Sequence, residues 1–363
     1  MVKQLYPRVE INLDYLKHNA KTVIRKCNER GIEVMGVVKG TTGLPECDDC
    51  FVAGGAAYIA SSRLEQLEDA REHGISLPLL LVRLPMLSEV PEVIRLADMS
   101  LNSEPAVLEA LNEEAGRQGK KHEVLLMADL GDLREGFWNK EELVRAAADV
   151  ENNMPNLVLA GVGTNLGCYG SIAATADKLD ELVEIAESVE EKIGRRLKYI
   201  SGGGTTSLPR IFDNDMPPRI NSLRIGEGIL LARDLDVFYG YDMSDMHQDV
   251  YTLKAEVIEV QNKPTYPVGT ITIDAFGHKP EYTDRGMRKR ALLGIGKVDY
   301  GSYEEIFPQD EGVEIIGASS DHTILDIEDA KRDIKVGDIL SFGVNYASLV
   351  YLTNCRNVQM VYI

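Results

Sequence analysis

The chain lacks any run of about 18 consecutive apolar residues, the length a helix needs to cross a bilayer. Its opening, "MVKQLYPRVEINLD", has no apolar stretch of the kind a signal peptide carries, so the sequence predicts a cytoplasmic protein. Basic residues are outnumbered, with 39 Lys and Arg against 58 Asp and Glu, which gives a formal net charge of −19. This charge argues against a nucleic-acid partner, because phosphate backbones are bound by basic patches.

Cysteine is also scarce, and five is an odd number, which fits free thiols in a reducing compartment. Cys47 and Cys50, in "ECDDC", have the spacing of half a zinc site. No second Cys pair or His pair at ligand spacing completes that site. The sequence therefore predicts no metal, and this segment is expected to be an acidic loop with two free thiols.

The 363 residues, 44% of them hydrophobic, suffice for a large core, and this length predicts two domains. In roughly the first two thirds, short apolar runs alternate with amphipathic helical stretches, and Gly74 and Gly119 stand where two of the helices should stop. The eight apolar runs are "VMGVV", "AAYIA", "LPLLLV", "ADMSL", "EVLLMA", "LVLAGVG", "LKYIS" and "NSLRIG". Strand and helix repeated eight times predict an α/β fold, a (β/α)₈ TIM barrel over residues 1–236.

The pattern changes after Asp236, where short alternating runs are punctuated by Gly, Pro and Asp. These runs are "YTLKAEVIEVQ", "GTITIDAF", "RALLGIGKV", "VEIIGASS", "HTILDI", "GDILSFGV" and "VQMVYI". No helix is predicted among them. Residues 237–363 are therefore expected to form a C-terminal domain built only of β-strands.

A single lysine, Lys39, closes the apolar run of the first predicted barrel strand in "EVMGVVKGTTGLP". In one interpretation it marks where the strand reaches water, with its stem along the apolar edge. In the other it is a buried amine whose lowered pKa lets it form a Schiff base. This stretch alone leaves both interpretations open.

Two glycine-rich loops follow the seventh and eighth predicted strands, "SGGGTTSLP" and "LRIGEG". Barrel enzymes carry their chemistry at the C-terminal ends of the strands, and phosphates are often bound after strands seven and eight. The glycines allow the backbone to approach an anion, and Thr205, Thr206 and Ser207 offer hydroxyl donors. A strand-end lysine opposite such a cradle predicts pyridoxal phosphate (PLP), or a phosphorylated sugar in an aldolase.

These motifs, in their order and spacing, resemble those of the alanine racemase-type, fold-type III PLP enzymes, and most closely the ornithine racemase-like branch. The resemblance covers essentially the whole chain. It is carried by "RVEINLDYLKHNAKTV", "GVVKG", "DLGDLREGF", "GVGTNLGCYG", "SGGGTTSLPRI", "LRIGEGILLARD", "GASSDHTILDI" and "GDILSFGVNYASL". It implies a PLP-binding barrel followed by a β domain, and it makes Lys39 the lysine that carries PLP.

The resemblance assigns roles to further residues. Arg224 matches the arginine that faces the pyridine nitrogen, where a fixed cation disfavours protonation of the ring. Arg134 matches an arginine that contacts the phenolic oxygen of the cofactor, and Asn165 stands where alanine racemases have a histidine packed near the ring. Four residues match positions at the phosphate: Gly204, Thr205, Gly226 and Tyr346.

The chain also departs from the family pattern. Gly43 follows the lysine where alanine racemases have a tyrosine, and Met127 replaces the modified lysine that often supports the residue equivalent to Arg134. "IGKVDY" places Lys297 where the family has its second catalytic base, a tyrosine. The expected second base is therefore Lys297, held near Asp321.

Three other residues of this region, Tyr300, His278 and His322, are reserve candidates for the second base. In the family that base comes from the β domain of the partner subunit. The resemblance therefore implies a head-to-tail homodimer with shared active sites.

The sequence thus predicts a PLP-dependent amino-acid racemase, with ornithine or another basic amino acid as its small-molecule substrate. Three alternatives stay open: an alanine racemase, a fold-type III basic amino-acid decarboxylase, and a non-enzymatic PLP-binding homeostasis protein. The decarboxylases set a glutamate against the pyridine nitrogen and carry a "CDSxD"-like motif, neither of which is found here. The homeostasis proteins resemble the barrel alone, so the second domain counts against them.

Overall fold

The computed structural model describes residues 5–273, 276, 277, 279 and 281–363. The chain divides into two compact units: a barrel unit, Asp14–His247, and a β unit formed by Met1–Leu13 together with Gln248–Ile363. The first strand, β1 (Arg8–Ile11), pairs within the β unit. The sequence-based boundary after Asp236 stays a prediction, and the compact barrel unit continues to His247.

Eight parallel strands close into a barrel, which confirms the predicted (β/α)₈ fold. They are β2 (Glu33–Val37), β3 (Tyr58–Ser61), β4 (Leu79–Leu81), β5 (Met99–Asn102), β6 (His122–Ala128), β7 (Leu157–Thr164), β8 (Tyr199–Ser201) and β9 (Ser222–Ile225). Each coincides with one of the eight predicted runs. A cluster that includes Met35, Leu101 and Leu125 forms the buried core, so these strands are apolar because both of their faces are covered.

The helices of the barrel unit are α1 (Leu13–Asn28), α2 (Pro45–Gly54), α3 (Leu64–His73), α4 (Val90–Leu96), α5 (Pro105–Gln118), α6 (Lys140–Asn153), α7 (Ala176–Ile193), α8 (Leu208–Phe212), α9 (Glu227–Leu230) and α10 (Asp234–Val237). Gly74 and Gly119 end α3 and α5 in the left-handed conformation, with φ of +102° and +65°, as predicted. Across the part of the chain that is described, no helix has the length and apolarity to cross a membrane.

The acidic segment "ECDDC" is part of helix α2, so the expectation of a loop there was wrong. Pro45 is the first residue of the helix, and Glu46 lies in its first turn, where a carboxylate favours helix formation. Cys47 and Cys50 are free, buried thiols on this helix. Asp48 is also fully buried, and neither of its carboxylate oxygens has a hydrogen-bond partner among the described residues.

Burial raises the pKa of Asp48 to about 8, and the neighbouring carboxylates add to this effect. Between about pH 4 and pH 8 the folded chain keeps a proton on Asp48 that the unfolded chain has released, so stability falls as the pH rises through this window. Each pH unit within it costs up to about 1.4 kcal/mol.

Raising the pH from 5 to 8 is therefore expected to lower the thermal unfolding midpoint less in Asp48→Asn than in the unmodified chain. Calorimetry at the two pH values measures the difference, with Asp180→Asn, an exposed position on α7, as the control. Equal losses in the unmodified chain and in Asp48→Asn would contradict this account.

The β unit is an eight-stranded sheet in which β1 pairs with the long strand β10 and with the last strand. Its other strands are β10 (Tyr251–Pro264), β11 (Met287–Leu293), β12 (Ile306–Pro308), β13 (Glu314–Ala318), β14 (Thr323–Asp326), β15 (Ile339–Val344) and β16 (Gln359–Tyr362). Of the predicted run 269–276, positions 274 and 275 lie outside the described residues, and the described remainder forms no strand.

This sheet confirms the predicted all-β C-terminal domain, and two helices that the sequence pattern did not predict, α11 (Lys297–Tyr300) and α12 (Tyr346–Asn354), lie between its strands. Helix α12 is held by Ser348, whose buried Oγ donates to the carbonyl oxygen of Tyr300 at 2.9 Å. Its sequence "YASLVYLTN" is apolar nearly throughout and shows no clear helical period, which is why the pattern did not reveal it.

Candidate active site

Lys39 lies at the C-terminal end of the barrel, where it begins a short 3₁₀ turn, Lys39–Thr41, just beyond β2. The residue is only partly exposed. Burial lowers the pKa of its amine, because the charged form loses hydration. This burial favours the interpretation of Lys39 as a reactive amine over that of a strand end reaching into water.

Four charged or ionisable side chains around Lys39 also act on its pKa. Cys168 and Glu135 raise the pKa, while the cations of Arg134 and Arg224 lower it. These residues come from the loops after β6 and β7 and from β9. The C-terminal ends of these strands therefore place the three sequence-predicted cations, Lys39, Arg134 and Arg224, close enough for their charges to interact.

Arg224 is the most deeply buried of these cations, with 5% of its surface exposed. Its Nη2 donates to the carbonyl oxygen of Thr164 at 2.5 Å and to Oδ1 of Asn165 at 2.8 Å, and its Nη1 donates to Oγ of Ser201. Burial lowers the pKa of Arg224 to about 10, so the guanidinium stays charged at neutral pH. A Cβ atom at Gly163 would lie 3.3 Å from Nη1, which shows how closely β7 fits around this side chain.

Arg134 and Asn165 both bind Glu135, a residue that the sequence analysis did not single out. Arg134 donates its Nη2 to Oε1 of Glu135 at 2.6 Å and its Nε to Oε2, and Asn165 donates its Nδ2 to Oε1. The only sequence signal was the position of Glu135 inside "DLREG", directly after an arginine already matched to the family.

Asp132 organises the loop after β7 and was also missed. Its buried carboxylate accepts hydrogen bonds from the backbone N–H groups of Gly167, Cys168, Tyr169 and Ile172, at 2.9 to 3.3 Å. Burial alone would raise the pKa of Asp132, but these four amides outweigh it and lower the pKa. The loop that follows Asn165 is thereby fixed by the loop after β6.

The loop after β8 forms a cradle at Gly204 and Thr205. A Cβ atom at Gly204 would lie 2.9 Å from the carbonyl oxygen of Arg224, and one at Gly226 would lie 2.9 Å from that of Val37, so both positions need glycine. Among the described residues, the backbone N–H groups of Gly204, Thr205 and Thr206 have no acceptor.

The three hydroxyls of this loop differ in what they offer an anion. Thr206 and Ser207 donate to the carbonyl oxygens of Leu166 and Gly202, at 2.8 and 2.6 Å, so they support the loop. Thr205 instead accepts from the amide of Gly228 at 3.0 Å, which leaves its own hydroxyl hydrogen available. Of the three donors expected from the sequence, Thr205 is the one the framework leaves for a phosphate.

Three sequence-predicted residues, Lys297, Asp321 and Tyr346, lie in the β unit rather than the barrel unit. Lys297 begins α11, and its ammonium stands 4.3 Å from the ring centroid of Phe276 and 5.8 Å from that of Tyr303. Tyr346 is the partly exposed first residue of α12.

The expectation that Lys297 is held near Asp321 stays a prediction: the amide of Lys297 donates to the carbonyl oxygen of Ser319 at 3.0 Å, close to Asp321 in the chain, and no ion pair joins the two side chains among the described residues. Asp321 is exposed and accepts a hydrogen bond from Oγ of Ser320 at 2.7 Å. Asp299, the other nearby acid, accepts from the amide of Gly296 at 3.0 Å and from Sγ of Cys355 at 3.3 Å.

The reserve candidates for the second base have different surroundings. Tyr300 is fully buried, its hydroxyl lies 2.7 Å from Oγ1 of Thr323, and burial raises its pKa to about 12. These contacts are those of a core residue. His322 is exposed in a turn closed by Ser319, and His278 lies outside the described residues.

The barrel unit therefore offers a desolvated lysine, a buried arginine and a glycine cradle with free amides and one free hydroxyl. A primary amine and a phosphate cradle at the same end of a barrel are what PLP requires for covalent attachment and for anchoring of its phosphate. The residues present fit this cofactor, and together with the fold they define a barrel-type PLP enzyme.

Comparison with known proteins identifies the family. Residues 11–234 match the model of the alanine racemase N-terminal domain. The chain is 38% identical to an ornithine racemase of Acetoanaerobium sticklandii, over 95% of this chain and 96% of that protein. It is 37% identical to a lysine racemase of Thermotoga maritima, over 99% of both chains. The chain belongs to the alanine racemase family, and PLP is its cofactor, which confirms the resemblance inferred from the sequence.

Solved structures support the same fold. An alanine racemase of Clostridium difficile 630 superposes with a TM-score of 0.74 at 22% identity, over 99% of this chain and 96% of that one. A D-threonine aldolase of Filomicrobium marinum superposes with a TM-score of 0.72 at 16% identity, over 96% and 89%. Because an aldolase shares the architecture, the fold alone does not specify the reaction.

Proposed function

We propose that this enzyme interconverts the L and D enantiomers of a basic amino acid such as ornithine or lysine. Two relatives that are 37 to 38% identical over at least 95% of both chains are named as racemases of these two amino acids. The observation that carries the proposal is the partly buried Lys39 beside the cations Arg134 and Arg224. The five free cysteines agree with a reducing, cytoplasmic location.

Different barrel residues would bind different parts of PLP. The amine of Lys39 attaches the cofactor, and the amides at Gly204 and Thr205, with the hydroxyl of Thr205, hold its phosphate. Arg224 would hold the side of the site where the pyridine nitrogen binds, and Arg134 would contact the phenolic oxygen. When bound, PLP withdraws electrons from the α-carbon of the amino acid and so acidifies its α-hydrogen.

Lys39 also moves the proton on one face of the α-carbon. Its lowered pKa brings the amine closer to the operating pH, where a base can both take and return a proton efficiently. Arg224, kept charged and fixed by neutral acceptors, disfavours protonation of the pyridine nitrogen. This weakens electron withdrawal enough to favour return of the proton over competing reactions.

We assign proton transfer on the opposite face of the α-carbon to Lys297. This lysine would come from the β unit of a second copy in a head-to-tail homodimer. The support is its place in "IGKVDY" and an ammonium that lies near the rings of Phe276 and Tyr303 and, among the described residues, forms no ion pair with a carboxylate. Tyr346 of that unit completes the phosphate site in this proposal. Asp321 stays in this proposal as the acidic neighbour of Lys297, with a carboxylate that accepts a hydrogen bond from Oγ of Ser320.

Single enantiomers test the proposal. L-Ornithine, D-ornithine, L-lysine, D-lysine and L-alanine are each incubated with the PLP-loaded enzyme, and optical rotation and carbon dioxide release are recorded. A racemase of basic amino acids brings ornithine or lysine to zero rotation from either enantiomer and releases no carbon dioxide. Preference for alanine overturns the substrate assignment, carbon dioxide release indicates a decarboxylase, and no turnover indicates a PLP-binding protein without this activity.

Lys297→Met is expected to lower exchange of the α-hydrogen with deuterated water by about 100-fold for one enantiomer and to spare the other, since each face has its own base. Proton NMR measures both exchange rates. Lys335→Met, an exposed lysine of the same unit paired with Asp333, is the matched control and should change neither rate. Equal losses for both enantiomers would rule Lys297 out and direct attention to Tyr300, His278 and His322.

A further inference from the structure

We propose that Glu135 is a positioning residue that supplies the counter-charge for both arginines of the site and holds them in place for PLP. It lies on the loop after β6, next to Arg134 in sequence. The inference rests on the proposed function for the places of Arg134 and Arg224 beside the cofactor.

The contacts of Glu135 connect both arginines. Its side chain is 14% exposed, and it receives two donors from Arg134 in a fork, the geometry in which an arginine and a carboxylate fit best. Its Oε1 also accepts from Nδ2 of Asn165, whose Oδ1 accepts from Nη2 of Arg224 at 2.8 Å. One carboxylate therefore contacts Arg134 directly and Arg224 through a single amide.

Arg224 shows why such a link is needed. All three of its hydrogen-bond acceptors, Ser201, Thr164 and Asn165, are uncharged, and it forms no ion pair within the described residues. A buried guanidinium without a counter-charge is costly. Glu135 is the first of the nearby charges that stabilise its ionised form, ahead of Cys168.

The contact with Glu135 also fixes the orientation of the Asn165 amide. Its oxygen must face the guanidinium and its nitrogen must face Glu135, because the reverse placement would set donors against donors. Loss of the carboxylate removes the acceptor that fixes this orientation. The amide is then free to turn, and both Arg224 and Arg134 lose a fixed partner.

Removal of the charge at position 135 is the direct test. Glu135→Gln keeps the size of the side chain but replaces the charged fork with one neutral acceptor and one donor. The chain offers a matched control in Glu151 on α6, which accepts hydrogen bonds from Nε and Nη2 of Arg195, just beyond α7, at 2.7 and 2.6 Å in the same fork geometry. Glu151→Gln removes an equivalent ion pair without touching Lys39, Arg224 or Asn165.

Apoprotein is titrated with PLP, and the dissociation constant and the absorbance maximum of the bound cofactor are measured for each variant. Glu135→Gln is expected to bind PLP about tenfold more weakly and to shift the maximum, whereas Glu151→Gln stays within twofold of the unmodified chain. In an Arg134→Met background, Glu135→Gln should still weaken binding, but by clearly less than tenfold, because only the support of Arg224 through Asn165 is then left to lose.

An unchanged dissociation constant and absorbance maximum in Glu135→Gln would overturn the inference, as would an equal effect of Glu151→Gln or full additivity with Arg134→Met. If Glu135→Gln does not fold, Glu135→Asp replaces it. The shorter carboxylate cannot reach Arg134 and Asn165 together, so binding should again weaken, and unaltered binding contradicts the role. Failure of the unmodified chain to bind PLP through Lys39 would instead contradict the proposed function.

Discussion

Replacement of Lys39 by alanine is expected to lower the rate of racemisation by at least about 10⁴-fold, because covalent attachment and proton transfer are lost together. PLP should still bind, more weakly, through the cradle at Gly204 and Thr205, whose free amides and hydroxyl do not depend on the lysine. Optical rotation measures the activity, and dialysis followed by absorbance measures the retained cofactor.

A matched surface change separates this effect from general damage. Lys178→Ala, which removes a lysine paired with Glu181 on α7, should leave activity unchanged within twofold. Addition of a small primary amine to Lys39→Ala should recover part of the activity, since it restores the missing base. Racemisation by Lys39→Ala above about one per cent of the normal rate would contradict the assigned role.

Arg224→Glu is expected to lower racemisation by about 10² to 10³-fold and to raise the ratio of transamination to racemisation. A carboxylate facing the pyridine nitrogen favours its protonation, so electron withdrawal becomes stronger and less selective. The substitution should also destabilise the folded chain. The new carboxylate would face the oxygens of Ser201, Thr164 and Asn165, which accept hydrogen bonds from the guanidinium in the unmodified chain.

Arg224→Gln provides a second variant that removes the cation without reversing the charge. Its amide can still donate to one of these oxygens, so it should fold better and show a smaller change in partition. Chiral chromatography of the amino acid, with assay of the keto acid formed, gives both rates. A ratio of the two reactions equal to that of the unmodified enzyme, in variants that bind PLP, would show that Arg224 does not control it.

The barrel was predictable because its strands are covered on both faces and so appear as continuous apolar runs bounded by turn residues. Gly74 and Gly119 end helices where the left-handed conformation requires glycine, and this could also be read from the sequence. Lys39 and Arg224 were found because they lie at strand ends in distinctive motifs. These signals are local in the chain.

The remaining features depend on contacts between distant segments. Glu135 is one acidic residue among 58 in the sequence, counting Asp and Glu together, and only the folded chain shows that its carboxylate contacts Asn165, 30 positions away. Asp132 likewise gains its role only when the loop after β7 presents four amides to it. Helix α12 was missed because tertiary packing of Ser348, not an amphipathic pattern, holds it.

The attachment of PLP to Lys39 is the central claim, and reduction followed by peptide mapping tests it most directly. PLP-loaded protein is treated with borohydride, digested, and analysed by mass spectrometry for the peptide that carries the reduced cofactor. The structure predicts a single modified site at Lys39, because this partly buried amine with a lowered pKa stands at the mouth of the barrel with the phosphate cradle. Stoichiometric label on Lys297 or any other lysine, with Lys39 unmodified, would contradict it.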